Sequence, residues 1–488
     1  MKHIIKPVIK PGRSMSGVTP LAAMMKPFNC PGECIYCPLE LNMPKSYLSD
    51  EPAAQRAKKL NFDARAQISQ RLEQLKMNGH PTDKLEIIVV GGTYSAYPTD
   101  YKIWFIGEIY RAANETKRPL PLLPQLPHPT PPLDKGREKR ERCEWEEKVL
   151  AEIKINETAK QRIVALSVET RPDWVTEAEV RLLRRLGVTK VQLGVQAIDE
   201  EISRITKRGH GQAEVAEATR LLRNAGMKIC YHIMPNLPGS DPKKDVEMAK
   251  LIYTDPRFMP DYVKLYPCMV IKGTALYRLW QKGQFKTYDD ETLKKVLKEI
   301  SAITPEWVRV DRLIRDISKG WVGAGSVKTN MRQEVERELI AEGRPCRCIR
   351  CREIGAGSYE DTNLEFKAIE LATIGGREVF FSYENEHKLF ALLRLRLPDP
   401  SEKMLFPELK EAAIVREVHS YGQAVPLSTR REGKSQHQGL GRLLMEKAEE
   451  EAVKNGYKKL AVIAAVGTRE YYKKLGYVLE GLYMVKTF

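Results

Sequence analysis

Between residues 85 and 271 the chain alternates continuous apolar runs with amphipathic stretches. The runs are LEIIVVGGT (85–93), RIVALSVETRP (162–172), KVQLGVQ (190–196), MKICYHIMPNLPG (227–239) and YVKLYPCMVI (262–271). Between them lie segments of helical period, such as EAEVRLLRRLG (177–187) and AEVAEATRLLRNAG (213–226), each closing on a glycine that stops a helix. Strands that are apolar throughout, separated by helices, predict βα units around a parallel sheet. Five or six such units suit a partial (β/α) barrel as well as an open sheet. Both architectures put a site at the C-terminal ends of the strands.

Two stretches break this pattern. Residues 117–142 carry seven prolines and then a basic run, which predicts an exposed insertion rather than a packed element. From Ser358 onward the style is different. LEFKAIELATIGGREVFFSYENEHKLFALLRLRLP reads as antiparallel strands, and AAIVREVHSYG as a further strand. QHQGLGRLLMEKAEEEAVKNG opens a helix from a glycine-rich turn. KLAVIAAVG is a strand, and REYYKKLGYVLEG a short helix and a last strand. The predicted organisation is a basic segment (1–20), an α/β barrel domain (21–315), a Cys-rich linker (316–357) and a second α/β domain (358–488).

Charge adds a partner class. Of 488 residues, 80 are Lys or Arg and 64 are Asp or Glu, a formal charge of +16. The first 357 residues hold +15 of it and the last domain +1. A basic surplus of that size on the barrel part points to a polyanion, nucleic acid first. No apolar run approaches the ~18 residues of a membrane span. The N-terminal stretch places Pro and Lys where a signal peptide needs an apolar core. A cytoplasmic location is expected, and nine Cys there suggest metal or cluster ligation rather than disulfides.

Cys30, Cys34 and Cys37 lie in CPGECIYC, spaced C-x3-C-x2-C. Three thiolates on one loop can hold three irons of a [4Fe–4S] cluster and leave the fourth open; a zinc site is the alternative. The loop resembles that of the radical S-adenosylmethionine (SAM) superfamily. The resemblance implies a partial barrel, SAM on the open iron, and a 5′-deoxyadenosyl radical that abstracts hydrogen. Tyr36 before the last Cys is typical of that superfamily. Gly91, Gly92 and Thr93 stand where a GGE-like motif meets the SAM amino group, with Thr in place of Glu. Glu169, Gln192 and Gln196 fall at later strands, where supporting residues are expected.

Gln436-His437-Gln438-Gly439-Leu440-Gly441 fits Q/R-x-x-G-x-G/A. Glycines let backbone N–H groups approach a pyrophosphate, and the helix starting near Arg442 presents its positive end. With a strand before it, and a helix, a strand and Tyr471-Tyr472 after it, this order resembles the GNAT acetyltransferase fold. That fold implies acetyl-CoA, a splayed strand pair for its pantetheine arm, and a late Tyr, Tyr472 or Tyr471, near the thioester sulfur. Between the domains, Cys346, Cys348 and Cys351 in CRCIRCRE suit zinc. Cys268 is the candidate fourth ligand, with Cys230 or a His behind it. Arg344, Arg347, Arg350 and Arg352 are expected to lower the thiol pKa values.

Iron loop, Cys-rich linker and acetyl-CoA signature together resemble the Elongator protein 3 family, radical SAM and GNAT enzymes that carboxymethylate tRNA uridine. The likeness covers nearly the whole chain, through SGVTPLAAMMKP, VVGGT, SVETRPDW, QLGVQ, PNLPGSDPKKD, CRCIRCREIG, EVHSYG, QHQGLGRLLMEKAE and GTREYYKKLGY. The Pro-rich insertion is the main departure. The likeness implies that Glu417, Val418, His419, Ser420, Leu440, Gly441, Arg442 and Tyr472 match acetyl-CoA positions, as does Lys84 from the other domain. Lys84, Tyr471 and Tyr472 are the candidate catalytic side chains. The implied reaction adds an acetyl-derived radical to carbon 5 of the wobble uridine of a tRNA anticodon, and thioester hydrolysis leaves 5-carboxymethyluridine. Accessory Elongator subunits are not expected to be required. Lys2, Lys6, Lys10, Arg13 and Lys26 are candidate contacts to the anticodon stem-loop. Lys207, Arg208 and His210 could face either SAM or RNA. A protein lysine acetyltransferase with a structural iron loop is the rival reading.

Overall fold

The computed structural model describes residues 16–115, 135–355, 363–422 and 439–488. Nine strands belong to the first part: β1 (Thr19–Met24), β2 (Lys84–Val90), β3 (Arg162–Thr170), β4 (Lys190–Gln196), β5 (Lys228–Ile233), β6 (Tyr262–Leu265), β7 (Val270–Ile271), β8 (Arg309–Arg312) and β9 (Val322–Ala324). Seven of them form one all-parallel sheet in the order β1-β2-β3-β4-β5-β6-β8. Alternate residues of these strands line a single internal cavity, so the sheet curves into a half-barrel.

The apolar runs at 85–93, 162–172, 190–196 and 227–239 each contain one barrel strand. The run at 262–271 splits, because Pro267 removes a ladder donor. Its second half, β7, pairs antiparallel with β9 outside the barrel. Two barrel strands, β1 and β8, lie outside the five apolar runs. β1 contains a proline, and β8 reads RVDR, with Val310 packed in the core.

Residues 117–142 are not an unpacked insertion throughout. Residues 135–142 begin a 22-residue helix, Lys135–Asn156. That helix packs on the helix Thr99–Ala113 through Val149 and Gly107, where a Cβ would lie 2.6 Å from Val149 Cγ2. Its high charge hid the helical period. Residues 117–134, with all seven prolines, lie outside the described residues.

The second domain holds β10 (Glu365–Thr373), β11 (Gly376–Glu384), β12 (Leu389–Pro398), β13 (Ala412–Ser420), β14 (Lys459–Val462), β15 (Val478–Glu480) and β16 (Tyr483–Thr487). Their order is β10-β11-β12-β13-β14-β16-β15. Only β13 and β14 run parallel, and their pairing ends at Val415–Val462. β13 continues to Ser420, so the two strands splay. The helix Leu440–Lys454 buries Leu444, Met445 and Ala448 against the sheet.

The two domains share a buried interface of charges. Asp261, just before β6, accepts two bonds from Arg416 at 2.9 and 2.7 Å. Arg416 also bonds Glu378 at 2.6 Å, and Arg223 pairs with Glu378 at 2.7 Å. Arg394 bonds Glu417 at 2.9 Å and the Trp307 carbonyl at 2.6 Å. Tyr483 donates to the Ala225 carbonyl at 2.8 Å. This arrangement seats the acetyltransferase-like sheet against the strand starts of the barrel, opposite the end that carries the Cys loop.

Candidate active site

The Cys30–Cys37 loop follows β1 at the C-terminal end of the barrel. Arg208 donates to Cys34 Sγ at 3.3 Å and to the Gly194 carbonyl. Burial pushes the Cys34 thiol up, but the Arg208 guanidinium overrides it and the net shift is downward. Burial and the neighbouring Cys34 push Cys37 up to about 12. The Thr93 hydroxyl lies 3.5 Å from Cys30 Sγ. Gly91 and Gly92 adopt φ of 145° and 91°, which side chains disfavour, and Tyr97 donates to the Gly91 carbonyl at 3.0 Å. At Gly32 an added Cβ would meet Arg171 Nη1 at 2.3 Å. Arg171 is otherwise held by Asp173 at 2.9 Å, and its Nη1 is buried without a partner.

These observations fit a [4Fe–4S] cluster: three thiolates on one loop, two guanidiniums against them, and a buried donor aimed at the loop. Arg208 thus faces the cysteine side. His210 is buried beside it, and Lys207 lies on the same turn with φ 54°. The direction of Arg208 is not legible in TKRGHG, and nothing in ETRP marks Arg171, two residues after Glu169, as a neighbour of the loop.

A network of polar side chains crosses the barrel interior. The Tyr47 hydroxyl donates to Glu169 at 2.5 Å, and Lys264 Nζ lies 3.8 Å from Glu169. Lys264 also donates to Gln192, whose Oε1 is 3.1 Å from His232 Nε2. Gln192 donates to the Ser167 hydroxyl at 3.1 Å. Gln196 closes β4 with φ 70°. Single polar residues carry no spacing signal, so Tyr47 on its loop and His232 and Lys264 on their strands are not legible in the sequence.

On the other side of the same cavity lie the acetyl-CoA candidates. Glu417, Val418, His419 and Ser420 form the splayed end of β13. Burial would raise the Glu417 carboxyl, but Lys228 and Arg394 hold it at about 2. His419 Nε2 is 2.7 Å from the Ser16 carbonyl, and its ring stacks on Tyr421 at 4.3 Å. Gly439 has φ 84° and precedes Leu440, Gly441 and Arg442 at the helix start. Gly441 faces the Tyr471 hydroxyl, which a Cβ would approach at 3.0 Å. Tyr472 is buried and Tyr471 is 40% exposed; their rings meet edge to face at 5.1 Å. Lys84 opens β2, and burial lowers its pKa. Gln438 lies outside the described residues, as do Lys2, Lys6, Lys10 and Arg13. Lys26 sits over the Tyr101 ring at 5.0 Å.

One cavity of about 1460 Å³ is lined by residues from both sides. Cys30, Cys34 and Cys37 stand at one end. Glu417 to Ser420, Gly439 to Arg442, Tyr471 and Tyr472 stand at the other, with Lys84 and Gln192 between.

Cys346, Cys348 and Cys351 bring their Sγ atoms within 4.8 Å of one another, with Cys348–Cys351 at 3.5 Å. A tetrahedral zinc with bonds of 2.3 Å sets an edge of about 3.8 Å, so the trio fits such an ion. Cys268 does not join it. Its thiol is buried in the barrel core, its N–H bonds the Pro235 carbonyl at 2.8 Å, and Asp245 is the charged group it faces. Cys230 points elsewhere too, toward Lys190 and Lys264. The carboxylate beside the trio is Glu336, 3.6 Å from Cys351 Sγ. Three of the four expected arginines are engaged away from the sulfurs: Arg344 with Glu299, Arg347 with Glu306 and Arg352 with Glu384. Arg350 lines the large cavity, and the guanidinium nearest the sulfurs is Arg332, 4.0 Å from Cys351.

Family models match both parts of the chain. Residues 26–252 match the Radical SAM superfamily, 260–341 a Radical SAM C-terminal domain, and 432–486 an Acetyltransferase (GNAT) domain. The chain is therefore a radical SAM half-barrel fused to a GNAT acetyltransferase domain. It is 40% identical to the tRNA uridine(34) acetyltransferase of Methanocaldococcus infernus, over 99% of this chain and 89% of that protein. It is 37% identical to Elongator complex protein 3 of Danio rerio, over 98% and 85% respectively. The solved structure of the archaeal Methanocaldococcus infernus Elp3 with an N-terminal deletion (1–46) superposes with a TM-score of 0.79. Its sequence identity is 36%, over 97% of this chain and all of that one. The chain belongs to the Elongator protein 3 family.

Proposed function

We propose that the protein makes 5-carboxymethyluridine at the wobble uridine of tRNA, with acetyl-CoA as carbon donor and SAM as radical source. The observation that carries this reading is the single cavity lined by both the iron loop and the acetyl-CoA strand. A relative named tRNA uridine(34) acetyltransferase that spans nearly the whole chain supports it. Residues 21–315 form the radical domain, 316–357 the Cys-bearing linker and 358–488 the acetyltransferase domain.

Cys30, Cys34 and Cys37 would ligate the [4Fe–4S] cluster, and Gly91, Gly92, Thr93, Glu169 and Gln192 would hold SAM. When bound, these groups supply a radical that abstracts hydrogen. Arg171 and Arg208 offset the thiolate charge, and Gly32 keeps the loop close to Arg171. Glu417 to Ser420 and Gln438 to Arg442 would seat acetyl-CoA, its arm entering where β13 leaves β14. Tyr471 lies beside Gly441 at that entry, Tyr472 next to it, and Lys84 lines the same cavity from the barrel. Cys346, Cys348 and Cys351 would hold zinc as a clamp, since Cys348 packs in the barrel core and Ile349 in the acetyltransferase core. The tRNA anticodon loop would splay its base into the cavity, with its phosphates on the basic barrel. No helix among the described residues is long and apolar enough to cross a membrane.

Purified protein alone, reconstituted anaerobically with iron and sulfide, is incubated with tRNA, SAM and acetyl-CoA. Nucleoside mass analysis should show carboxymethyluridine, and Cys34→Ser should abolish it while leaving tRNA affinity nearly intact. Acetylated protein lysine without modified uridine would favour a lysine acetyltransferase instead.

A further inference from the structure

The first residues of six barrel strands, Lys84, Arg162, Lys190, Lys228, Tyr262 and Arg309, line the cavity wall that faces β13. Several are tied down. Lys190 pairs with Asp311 at 3.2 Å, and Arg309 with Glu353 at 2.6 Å. Arg162 bonds the Ala159 carbonyl at 3.1 Å, and Tyr262 donates to Glu417. Lys228 differs: among the described residues its ammonium has neither a hydrogen bond nor an ion pair within 4.0 Å.

The charged groups that Lys228 faces are Glu417 from β13, Lys190 from β4, Glu86 from β2 and Asp261 before β6. Each of the acids faces partners of its own or lies too far to bond it. Burial outweighs their attraction and lowers the Lys228 pKa. Lys228 is only partly buried, so its amine is open to the cavity and to a ligand there. Glu417 itself is a weak base, because Tyr262 and Arg394 already bond its oxygens and its pKa is about 2.

We propose that the Lys228 amine accepts the proton of the water that cleaves the acyl-CoA thioester. This inference rests on the reading that the arm of acetyl-CoA enters where β13 and β14 splay, beside Glu417. Water oxygen bonds the thioester carbonyl carbon as its proton passes to neutral Lys228. The carbon–sulfur bond then breaks, the CoA thiolate takes that proton back, and a carboxylic acid remains. No electrons are exchanged with any other group.

The test measures tRNA-dependent release of CoA thiol from pH 6 to 10, with acetyl-CoA affinity measured in parallel. For the wild type, the rate should rise with pH to a plateau as Lys228 loses its proton. Lys228→Gln and Lys228→Met should lower the plateau about 10²–10⁴-fold and remove that limb, with affinity changed less than about threefold. Lys228→Met removes a buried charge and is the variant to rely on if Lys228→Gln does not fold. Lys228→Arg, which keeps the charge but cannot act as a base, should not restore the rate. Either neutral variant within twofold of wild type, or full rescue by Lys228→Arg, overturns the proposal. Wild-type protein that releases no thiol and modifies no uridine instead sinks the underlying reading.

Discussion

The Asp261 cluster decides whether the two halves of the cavity stay in register. Asp261 is fully buried and accepts from both terminal nitrogens of Arg416; its other bond is from the Ile229 N–H at 2.8 Å. Arg394 Nη1 lies 3.6 Å away. Three buried arginines, 223, 394 and 416, thus face three acids, Asp261, Glu378 and Glu417. Asp261→Asn keeps the shape and the Ile229 bond but leaves one positive charge uncompensated. Breaking a buried pair by removing one partner costs about 3–5 kcal/mol. The lower end, about 3 kcal/mol, is expected here, because Arg416 retains Glu378. Urea unfolding followed by tryptophan fluorescence and circular dichroism measures it. A control at the exposed pair Lys447–Glu450 should leave stability nearly unchanged. The pH dependence has a definite sign. Burial alone would raise the Asp261 pKa, but Arg416 and Arg394 bring it well below the carboxylate range. Its contribution is therefore present above about pH 4 and is lost as pH falls toward the folded pKa. The wild type should lose stability more steeply below pH 4 than Asp261→Asn does. An Asn variant within about 1 kcal/mol of wild type at pH 7 refutes the reasoning.

Three further outcomes are expected. Gly32→Ala should lower iron content after reconstitution several-fold, because its Cβ would collide with Arg171; full iron loading would show that the loop can yield. Cys348→Ser should remove bound zinc from purified protein, as read by elemental analysis, whereas Cys268→Ser should leave it unchanged. For tRNA binding, log affinity should fall linearly with log salt as counterions are released, with a slope set by the number of phosphates contacted; a flat dependence would remove the basic barrel from the interface.

Local sequence determined much of this protein. The cysteine spacing, the glycine-rich turn and the apolar runs each encode a short-range structure, so the iron loop, the acetyl-CoA turn and strands β2 to β6 were legible one by one. Period and spacing are properties of neighbouring residues, and the chain states them directly. Only the tertiary structure decided what those pieces face. β8 was invisible because its charged residues look inward to a polar cavity rather than outward to solvent. Cys268 looked like a zinc ligand because sequence counts sulfurs but not directions. Arg171, Lys264 and Lys228 gained meaning only when the barrel placed them beside thiolates, carboxylates or no partner at all. The physical reason is that these groups act through contacts between residues far apart in the chain, and a sheet that curves to enclose a polar interior sets those contacts by folding, not by spacing.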